Sequence, residues 1–435
     1  MTGHFAGAGL RRLIKKVDSV NIWICMRIRW MNKKNIAHIT SAVAAVLLAG
    51  LIAWQQVELY DLNKEKDQMN TTLTELQQGQ QELTDLLKQK EEEEAGLSLY
   101  LPDDIYVGCG ITLEIYNDEI SSGDNPDNYE YYWDCEIGDC MSDRYHIGGI
   151  ENDIGEYPLT VKVYDYGLNE VVEASTTLHV VSSTLADKVE VLTIGDSLSN
   201  GTPWLSYVRD ISDDKIWNVG TKGSEEGAMS EGRAGFSAGD YLGEVEYSYE
   251  TNEGVQPFYN PDKGTFDWDY YKENTGMNPD MIQIFLGTNG LSMDPTNNVG
   301  NIAAIVDAIR EADRQIPILV VQTIYPANQD GMANQQNREG FSAIHGMWSV
   351  EQRAKTYNLM VCLDEELADK EGVYLVPAAI MHDSDDNFEM KEVGLNPQNY
   401  NIRTIPKESI HPSEEGYRQI GDVIASTIYG VMQSK

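Results

Sequence analysis

The chain has 435 residues, enough for two or three domains with a substantial core, and its formal net charge is −38. The charge is uneven, because the first 34 residues carry a net +7 and leave −45 for the rest. The charged residues of this N-terminal segment are Asp18 and the basic residues Arg11, Arg12, Lys15, Lys16, Arg27, Arg29, Lys33 and Lys34. An acidic body of this size repels phosphate backbones, so we expect no nucleic-acid partner.

A membrane-spanning helix is predicted directly after the basic segment. The stretch IAHITSAVAAVLLAGLIAW, residues 36–54, has no formally charged residue and is just long enough to cross a hydrocarbon layer of roughly 30 Å. Lys33 and Lys34 precede it, which predicts that residues 1–35 are cytoplasmic and that the chain after the span is extracytoplasmic. Met31, which opens MNKKN, is the more natural start. We predict an uncleaved signal anchor in the cell membrane, with a core helix or a cleaved signal peptide as the alternatives.

Residues 55–95 are predicted to form a coiled-coil stalk. Mostly apolar residues recur at alternating spacings of three and four, which places them along one side of a helix. Polar side chains at Lys66 and Gln80 restrict register and strand number at a cost in stability, so the pattern predicts a short parallel homodimer. The alternative is a single polar linker helix. The seam comprises Leu59, Leu62, Lys66, Met69, Leu73, Leu76, Gln80, Leu83 and Leu87.

Residues 97–183 carry the pattern of a small all-β sandwich. Stretches rich in Val, Ile, Thr and Tyr, such as DIYVGCGITLEIY and YPLTVKVYDYG, alternate with the turn clusters SSGDNPDN and IENDIGEY. IGEYPLTVKVYD followed by TTLHVV resembles bacterial immunoglobulin-like modules, which usually space or present a neighbouring catalytic domain. We therefore predict a spacer module, with carbohydrate binding on exposed tyrosines and Trp133 as the alternative.

The five cysteines form no metal-binding pattern. Cys135 and Cys140 lie in the β module, and outside the cell they are close enough in sequence to close a small disulfide loop. No second Cys/His pair stands at ligand spacing from them, so we expect no zinc site.

From residue 188 to residue 435, strand-like and helix-like segments alternate. The apolar runs KVEVLTIG, KIWNVGT, DMIQIFLGTN, IPILVVQTIYP and NLMVCLD are short enough for buried strands. GNIAAIVDAIREADRQ and EEGYRQIGDVIASTIYGVMQ have their apolar residues at helical spacing. This alternation predicts an α/β domain of three α/β/α layers with a mainly parallel sheet, in which reactive groups lie where strands end.

The first predicted strand runs into VLTIGDSLSNG, which places Ser197 at such a strand end. Gly-Asp-Ser also suits an ordinary strand-turn-helix junction, in which Asp196 or Ser197 caps the next helix. The choice between nucleophile and cap depends on whether the chain supplies a base and oxyanion donors. Asn289, which follows MIQIFLG, is predicted to lie at the end of another strand.

Three histidines lie in the predicted α/β domain, and one of them has a carboxylate nearby in sequence. His411 stands in ESIHPS just before the last helix, and Glu408 precedes it by three residues, so a carboxylate can face the imidazole across one turn. The same stretch also suits a plain helix start. His345, in GFSAIHGMW, suits a helix surface, and His382, in MHDSDDNFEM, suits a solvated loop.

Four blocks in this order resemble the SGNH, or GDSL-like, hydrolase family over residues 188–435. They are GDSLS with the nucleophile, EGRAGFSA with the glycine, GTN with the asparagine and ESIHPS with the histidine. The resemblance implies a flavodoxin-like fold in which Ser197 attacks an ester carbonyl and His411, oriented by Glu408, takes its proton. QPFYNPDKGTFDWDYY and NVGTKG look like the family's bacterial carbohydrate-esterase branch.

The resemblance also implies an oxyanion hole made by the backbone N–H groups of Ser197 and Gly235 and the side-chain amide of Asn289. Two positions depart from the family pattern, because Glu408 and Gly290 each stand where the family usually has Asp. The glycines that compete with Gly235 for its role are Gly220, Gly227 and Gly232.

The predicted activity is that of a membrane-anchored, extracytoplasmic serine esterase that uses no cofactor or metal. Its expected substrate is an O-acetylated carbohydrate. The alternatives are a lipase, lysophospholipase or thioesterase, which needs an apolar acyl groove, and a catalytically silent glycan-binding protein with the same fold.

Overall fold

The computed structural model describes residues 97–123, 126–243, 257–291, 295–336 and 349–433. The chain divides into the units Met1–Leu87 and Lys88–Lys435, and every described residue belongs to the second unit. The predicted cytoplasmic segment, membrane span and stalk lie outside the described residues and stay predictions. Within the described ranges, no helix combines the length and the apolar character that crossing a bilayer requires.

The N-terminal part of the described chain consists of two facing β-sheets. Their strand orders are β2-β9-β8-β5 and β3-β7-β6, and β1 pairs separately with β4. The rings of Trp133 and Tyr145, one from each sheet, stack at 5.3 Å in the core between them. The strands are β1 (Leu97–Leu99), β2 (Asp104–Gly108), β3 (Thr112–Tyr116), β4 (Ser121–Gly123), β5 (Glu130–Asp134), β6 (Asp139–Cys140), β7 (Arg144–Gly148), β8 (Gly155–Tyr164) and β9 (Glu170–Val181).

Alternating burial explains why these segments form strands. In β8, Leu159, Val161 and Val163 are fully buried, whereas the residues between them are partly exposed, as expected for side chains that point to opposite faces of a sheet. The resemblance of this β module to immunoglobulin-like domains stays a prediction.

Cys135 and Cys140, whose pairing the sequence left open, are both free thiols. Cys135 packs against the hydrophobic core, whereas Cys140 is exposed on β6 with its Sγ atom 3.7 Å from the Met141 carbonyl oxygen. The two thiols therefore occupy different environments.

The C-terminal part of the chain alternates strands and helices. Its first half contains β10 (Val189–Gly195), α1 (Pro203–Ile211), β11 (Ile216–Val219), β12 (Glu231–Gly232), α2 (Ala238–Leu242), β13 (Tyr259–Asn260), β14 (Thr265–Phe266), α3 (Trp268–Thr275) and β15 (Met281–Phe285). Its second half contains α4 (Pro295–Ala312), β16 (Ile318–Val321), α5 (Gln329–Gln336), α6 (Ser349–Leu367), β17 (Val373–Val376), α7 (Ala378–Met381), β18 (Met390–Asn396), β19 (Asn399–Pro406) and α8 (Glu414–Gln433).

Five strands form a parallel sheet in the order β11-β10-β15-β16-β17, and β12 continues alongside the end of β10. Adjacent residues of one strand enter different cores: Val191 packs in the same cluster as Ile424 of α8, and Leu192 in the same cluster as Ile302 of α4. Helices therefore cover both faces of the sheet, and the predicted parallel α/β architecture is confirmed.

One predicted strand is wrong. NLMVCLD lies inside helix α6, and the fifth parallel strand is instead Val373–Val376. Leu359, Met360, Leu363 and Leu367 are buried at spacings of one, three and four residues, which is the apolar stripe of a helix. The run NLMVCLD is short and mostly apolar, so the helical spacing of its apolar residues becomes visible only when the flanking sequence is included.

The β module and the α/β domain share one hydrophobic core within their common unit. The Gly108 N–H donates to Ser426 Oγ at 3.1 Å, which joins β2 to helix α8. A Cβ atom at Gly430 of the same helix would lie 2.1 Å from the Tyr106 ring, so these elements approach as closely as the backbone allows. The module is thus joined to the α/β domain rather than being a detached spacer.

A partly buried ion-pair cluster crosses the same junction. Arg353 of α6 donates to Asp118 Oδ2 at 2.8 Å and to Glu119 Oε2 at 3.1 Å, both in the turn after β3. Burial raises the pKa of Glu119 well above its ordinary value, although the Arg353 guanidinium acts in the opposite direction. Removing Arg353 would leave the buried Glu119 carboxylate without its cation, so this pair makes separation of the two parts costly.

Candidate active site

The turn after β10 holds Ser197 in a fixed position. Asp196 Oδ1 accepts the Leu198 N–H at 2.9 Å, and the Trp204 indole N–H donates to the Leu198 carbonyl at 2.8 Å. Helix α1 begins only at Pro203, and its N-cap residue is Thr202. Ser197 is therefore not the cap of the following helix, which removes the simplest structural explanation for the Gly-Asp-Ser turn.

Ser197, His411 and Glu408 form a continuous hydrogen-bonded relay. His411 Nε2 lies 3.0 Å from Ser197 Oγ, and His411 Nδ1 lies 3.0 Å from Glu408 Oε1. The relay is partly screened from solvent, with side-chain exposures of 36% for His411 and 18% for Glu408. The distances are those expected for a nucleophile, its base and a carboxylate that orients the base.

The sheet topology explains why residues so distant in sequence meet. In chain order the parallel strands are arranged 2-1-3-4-5, so the direction of strand addition reverses between β10 and β15. Ser197 follows β10 and Asn289 follows β15, which places both at the carboxyl end of this reversal. Open α/β sheets bind their ligands in the crevice at this point.

The Asn289 amide lies between the Ser197 turn and the EGRAG segment. Its Nδ2 atom donates to the Phe236 carbonyl at 3.0 Å and to Asp196 Oδ2 at 3.3 Å. A Cβ atom at Gly290 would lie 2.3 Å from Asn298 Oδ1, so a buried Asn298 occupies the space that a side chain at Gly290 would need. A side chain at position 290 would therefore require Asn298 to move.

Gly235 is the only one of the four competing glycines that directly precedes Phe236, the acceptor of the Asn289 amide. Gly235 adopts φ = +81°, a conformation that favours glycine. Within the described ranges, neither the Gly235 N–H nor the Ser197 N–H donates a hydrogen bond. The Gly232 N–H, in contrast, is bonded to Ser230 Oγ at 3.1 Å. Of the other two, Gly220 packs against the Ser230 backbone and Gly227 against Trp217.

Asp196 is a site residue to which the sequence assigned no role beyond a helix cap. It is 1% exposed, and burial raises its pKa to about 7, although the Leu198 N–H and nearby His411 act in the opposite direction. Its carboxylate contacts the Asn289 amide directly. Its position beside Ser197 was the available signal, because a charged residue directly after a mostly apolar, buried strand is expected to be buried or partnered.

We predict that Asp196→Asn changes the pH dependence of stability. The carboxyl ordinarily titrates at 3.8 but does so at about 7 in the folded protein, so part of the stability present below pH 3.8 is lost as pH rises through 7. The difference amounts to at most about 4 kcal/mol at 1.36 kcal/mol per pKa unit. Thermal unfolding should show that the variant is more stable relative to the parent at pH 8 than at pH 4. If the stability difference between variant and parent is the same at both pH values, the raised pKa is contradicted.

Of the other two histidines of the domain, the structure describes only His382. His345 lies outside the described residues. His382, expected in a solvated loop, is 1% exposed, packs edge-on to Phe388 and has its pKa lowered to about 3 by burial. The acidic flanking residues suggested a solvated loop, but His382 itself is buried in the core, and burial keeps it neutral.

A cavity of about 60 Å³ adjoins the loops that carry the relay and the asparagine. Thr288 and Ser409, the neighbours of Asn289 and Glu408 in sequence, contribute to its wall. Most of the remaining lining is apolar and comprises Leu291, Ile324, Pro326, Met332 and Ile410. At about 10–15 Å³ for each water molecule, the cavity has room for a group of only a few heavy atoms.

In the described part of the chain, no cluster of three or more His, Cys, Asp or Glu side chains is arranged around a common point.

No protein-family model matches the chain, and no curated protein matches it. Among solved structures, it is similar to a carbohydrate esterase family 3 protein from Talaromyces cellulolyticus, with 16% identity over 57% of this chain and 99% of that chain and a TM-score of 0.36. It is also similar to a Clostridium thermocellum family 3 carbohydrate esterase (15% identity; 57% and 98%; TM-score 0.34) and to a lipase/acylhydrolase from Enterococcus faecalis (14%; 56% and 96%; 0.28). Similarities of this size assign neither an activity nor a substrate.

Proposed function

We propose that the protein is a serine ester hydrolase of the SGNH type. The observation that carries this proposal is the relay from Ser197 Oγ through His411 to Glu408, with both hydrogen-bond distances at 3.0 Å. A serine hydroxyl is a weak nucleophile unless a base removes its proton, and an oriented imidazole supplies that base near neutral pH. The four sequence blocks provide independent support, because each contributes a group to this one crevice.

In the proposed reaction, Ser197 Oγ attacks the ester carbonyl carbon while His411 Nε2 takes the hydroxyl proton. Glu408 accepts the Nδ1–H of His411 and stabilises the imidazolium. The tetrahedral intermediate then collapses, and the departing alkoxide receives the proton from His411. Water attacks the acyl-serine by the same route in reverse, which releases the carboxylic acid and restores Ser197.

The negative oxygen of the tetrahedral intermediate is proposed to accept hydrogen bonds from the backbone N–H groups of Ser197 and Gly235. Both groups lack a partner among the described residues, so neither has to give up an existing bond. The Asn289 amide already donates to the Phe236 carbonyl and to Asp196, and the longer bond to Asp196, at 3.3 Å, is the one it would exchange for the oxyanion.

We propose an O-acetylated carbohydrate as the substrate. The stretches QPFYNPDKGTFDWDYY and NVGTKG, which look like the family's bacterial carbohydrate-esterase branch, support this choice. The intact relay argues against a catalytically silent glycan-binding protein, since a binding module gains nothing from an oriented base. The remaining alternatives are a lipase, lysophospholipase or thioesterase.

Two assays test this function. The first measures hydrolysis of aryl esters with acyl chains of two, four, eight and twelve carbons, and the second measures acetate release from O-acetylated polysaccharides. We expect kcat/KM to fall steeply beyond the four-carbon ester and acetate to be released from the polysaccharides. A maximum at eight or twelve carbons would instead identify a lipase, and activity on none of the esters would contradict the hydrolase assignment. The Ser197→Ala variant provides the blank.

We further propose that residues 36–54 anchor the chain and place the hydrolase outside the cytoplasm. The support comes from the sequence alone, namely an uncharged apolar stretch that directly follows Lys33 and Lys34. Protease added to intact cells is expected to release the acidic body into the medium. Complete protection of the body, with a control surface protein cleaved in the same sample, contradicts this topology.

A further inference from the structure

The hairpin β18–β19 projects from the α/β domain just before the loop that carries Glu408 and His411. At its base, Lys391 Nζ donates to Asn334 Oδ1 at 2.7 Å and Arg403 pairs with Asp330 at 2.9 Å, which fixes the hairpin to helix α5. Beyond this base, every residue from 394 to 402 is exposed. The sheet contains only these two strands, and within the described ranges no third strand joins either edge.

The outer part of the hairpin, residues 394–402, presents an apolar strip. Tyr400 is 91% exposed and Ile402 is 61% exposed, and residues two apart on one strand point to the same face. Gly394 is the cross-strand partner of Ile402, so no side chain stands opposite it. Tyr400 is the most exposed large apolar side chain in the described part of the chain, and with Ile402 it forms a contiguous apolar strip, the kind of feature that marks binding surfaces.

The surroundings of this strip are polar but uncharged. The sequence GLNPQNYNI, residues 394–402, contains no charged residue, although 23% of the chain is charged. Four of its nine residues carry amides, and each amide both donates and accepts hydrogen bonds. Two of them also shape the tip, because Asn396 Oδ1 accepts the Gln398 N–H and Asn399 Oδ1 accepts the Asn401 N–H, both at 3.0 Å.

This chemistry discriminates between classes of ligand. A stable protein interface buries about 800 Å² on each partner, whereas a tyrosine with one aliphatic neighbour offers a few hundred at most. An anionic lipid surface attracts clusters of Lys and Arg, which residues 394–402 lack in a chain of net charge −38. An aromatic face flanked by neutral amides suits a neutral, hydroxyl-rich ligand, whose apolar C–H face covers the ring while its hydroxyl groups meet the amides.

We propose that residues 394–402 bind the sugar backbone of a neutral polysaccharide, the same polymer whose acetyl groups Ser197 removes. The inference rests on the proposed carbohydrate-esterase function and extends it to a second site on the substrate. Six residues of extended chain, about 20 Å, separate Tyr400 from Pro406, so only a ligand several sugar units long reaches both the hairpin and the catalytic loop. The hairpin therefore favours polymers over small esters.

Tyr400→Ala is the direct test, and Tyr166→Ala is its matched control, because Tyr166 is 75% exposed in the β module. The substrates are O-acetylated glucomannan, O-acetylated xylan and an aryl acetate. We expect Tyr400→Ala to raise KM for a polysaccharide about three- to tenfold with kcat unchanged, and to leave kcat/KM for the aryl acetate at the parental value. Tyr400→Phe, which keeps the ring, should restore the parental KM, and Tyr166→Ala should change nothing.

Binding of the deacetylated glucomannan and xylan to the Ser197→Ala protein separates the two ideas. Acetate release from the polymers with no effect of Tyr400→Ala on KM or binding overturns the hairpin site and leaves the proposed function intact. Hydrolysis of aryl acetate alone, with neither polymer hydrolysed nor bound, overturns both the carbohydrate substrate and the hairpin site. A hairpin that instead pairs two copies of the chain would appear as a dimer that Tyr400→Ala dissociates in light scattering.

Discussion

Replacing Ser197 by alanine is expected to lower kcat for ester hydrolysis by about 10⁴–10⁶-fold, because the acyl-enzyme route is lost when the attacking oxygen is removed. His411→Ala should lose a similar amount, since His411 Nε2 is the only base at hydrogen-bond distance from Ser197 Oγ in the described part of the chain. A nucleophile and its base act as one unit, so the double variant should be no worse than either single variant. Initial rates with an aryl acetate measure all three.

Ser199→Ala is the matched control for the nucleophile. Ser199 lies in the same turn, and its Oγ atom is buried without a hydrogen-bond partner among the described residues. Loss of this hydroxyl should leave kcat within a factor of a few, provided circular dichroism shows each variant folded. The assignment of Ser197 as the nucleophile is contradicted if Ser197→Ala or His411→Ala keeps the parental activity. It is also contradicted if Ser199→Ala loses as much activity as these two variants.

Glu408→Gln is expected to lower kcat by up to about 10⁴-fold with little change in KM. The amide oxygen of glutamine can still accept the Nδ1–H of His411, so the substitution preserves size and one hydrogen bond but removes the charge that stabilises the imidazolium. The side chain is only 18% exposed, so solvent screens the lost charge incompletely. The kcat and KM for an aryl acetate, measured across pH 5–9, quantify the effect.

Glu408→Asp keeps the charge but is one methylene shorter, which withdraws the carboxylate from His411 by about 1.5 Å unless the loop adjusts. We expect it to retain more activity than Glu408→Gln. The aspartate carboxylate still stabilises the imidazolium electrostatically from a greater distance, whereas the neutral glutamine amide carries no charge. If Glu408→Gln keeps the parental kcat, His411 works with Ser197 alone and Glu408 has no catalytic role.

The main features of the fold were predictable because the central strands of its parallel sheet are mostly buried. In KVEVLTIG, the adjacent residues Val191 and Leu192 are both buried, as in a strand covered by helices on each side, and this predicts a parallel sheet. The same reasoning failed for NLMVCLD, because a short apolar run has no visible period and its helix begins nine residues earlier, at Ser349. The fifth strand, Val373–Val376, is only four residues long and follows directly after a turn.

The candidate site was predictable to the extent that its groups occupy strand ends. Ser197 and Asn289 follow apolar runs, and His411 has a carboxylate three residues away, so these positions are visible in one dimension. The burial of Asp196 was not predictable, because the groups near its carboxylate include Asn289 and His411, which come from distant parts of the chain. The choice among four glycines likewise required the three-dimensional position of Phe236.

The junction between the β module and helix α8 determines where the protein can be cut. His411 stands just before this helix, and the same helix carries Ser426 and Gly430, which rest directly on the β module. A recombinant fragment that starts at residue 188 therefore lacks the surface on which half of its last helix is packed, and it should misfold or precipitate. The shortest fragment suited to crystallisation and enzyme assays starts near Leu97, so the apparent accessory module belongs to the minimal enzyme.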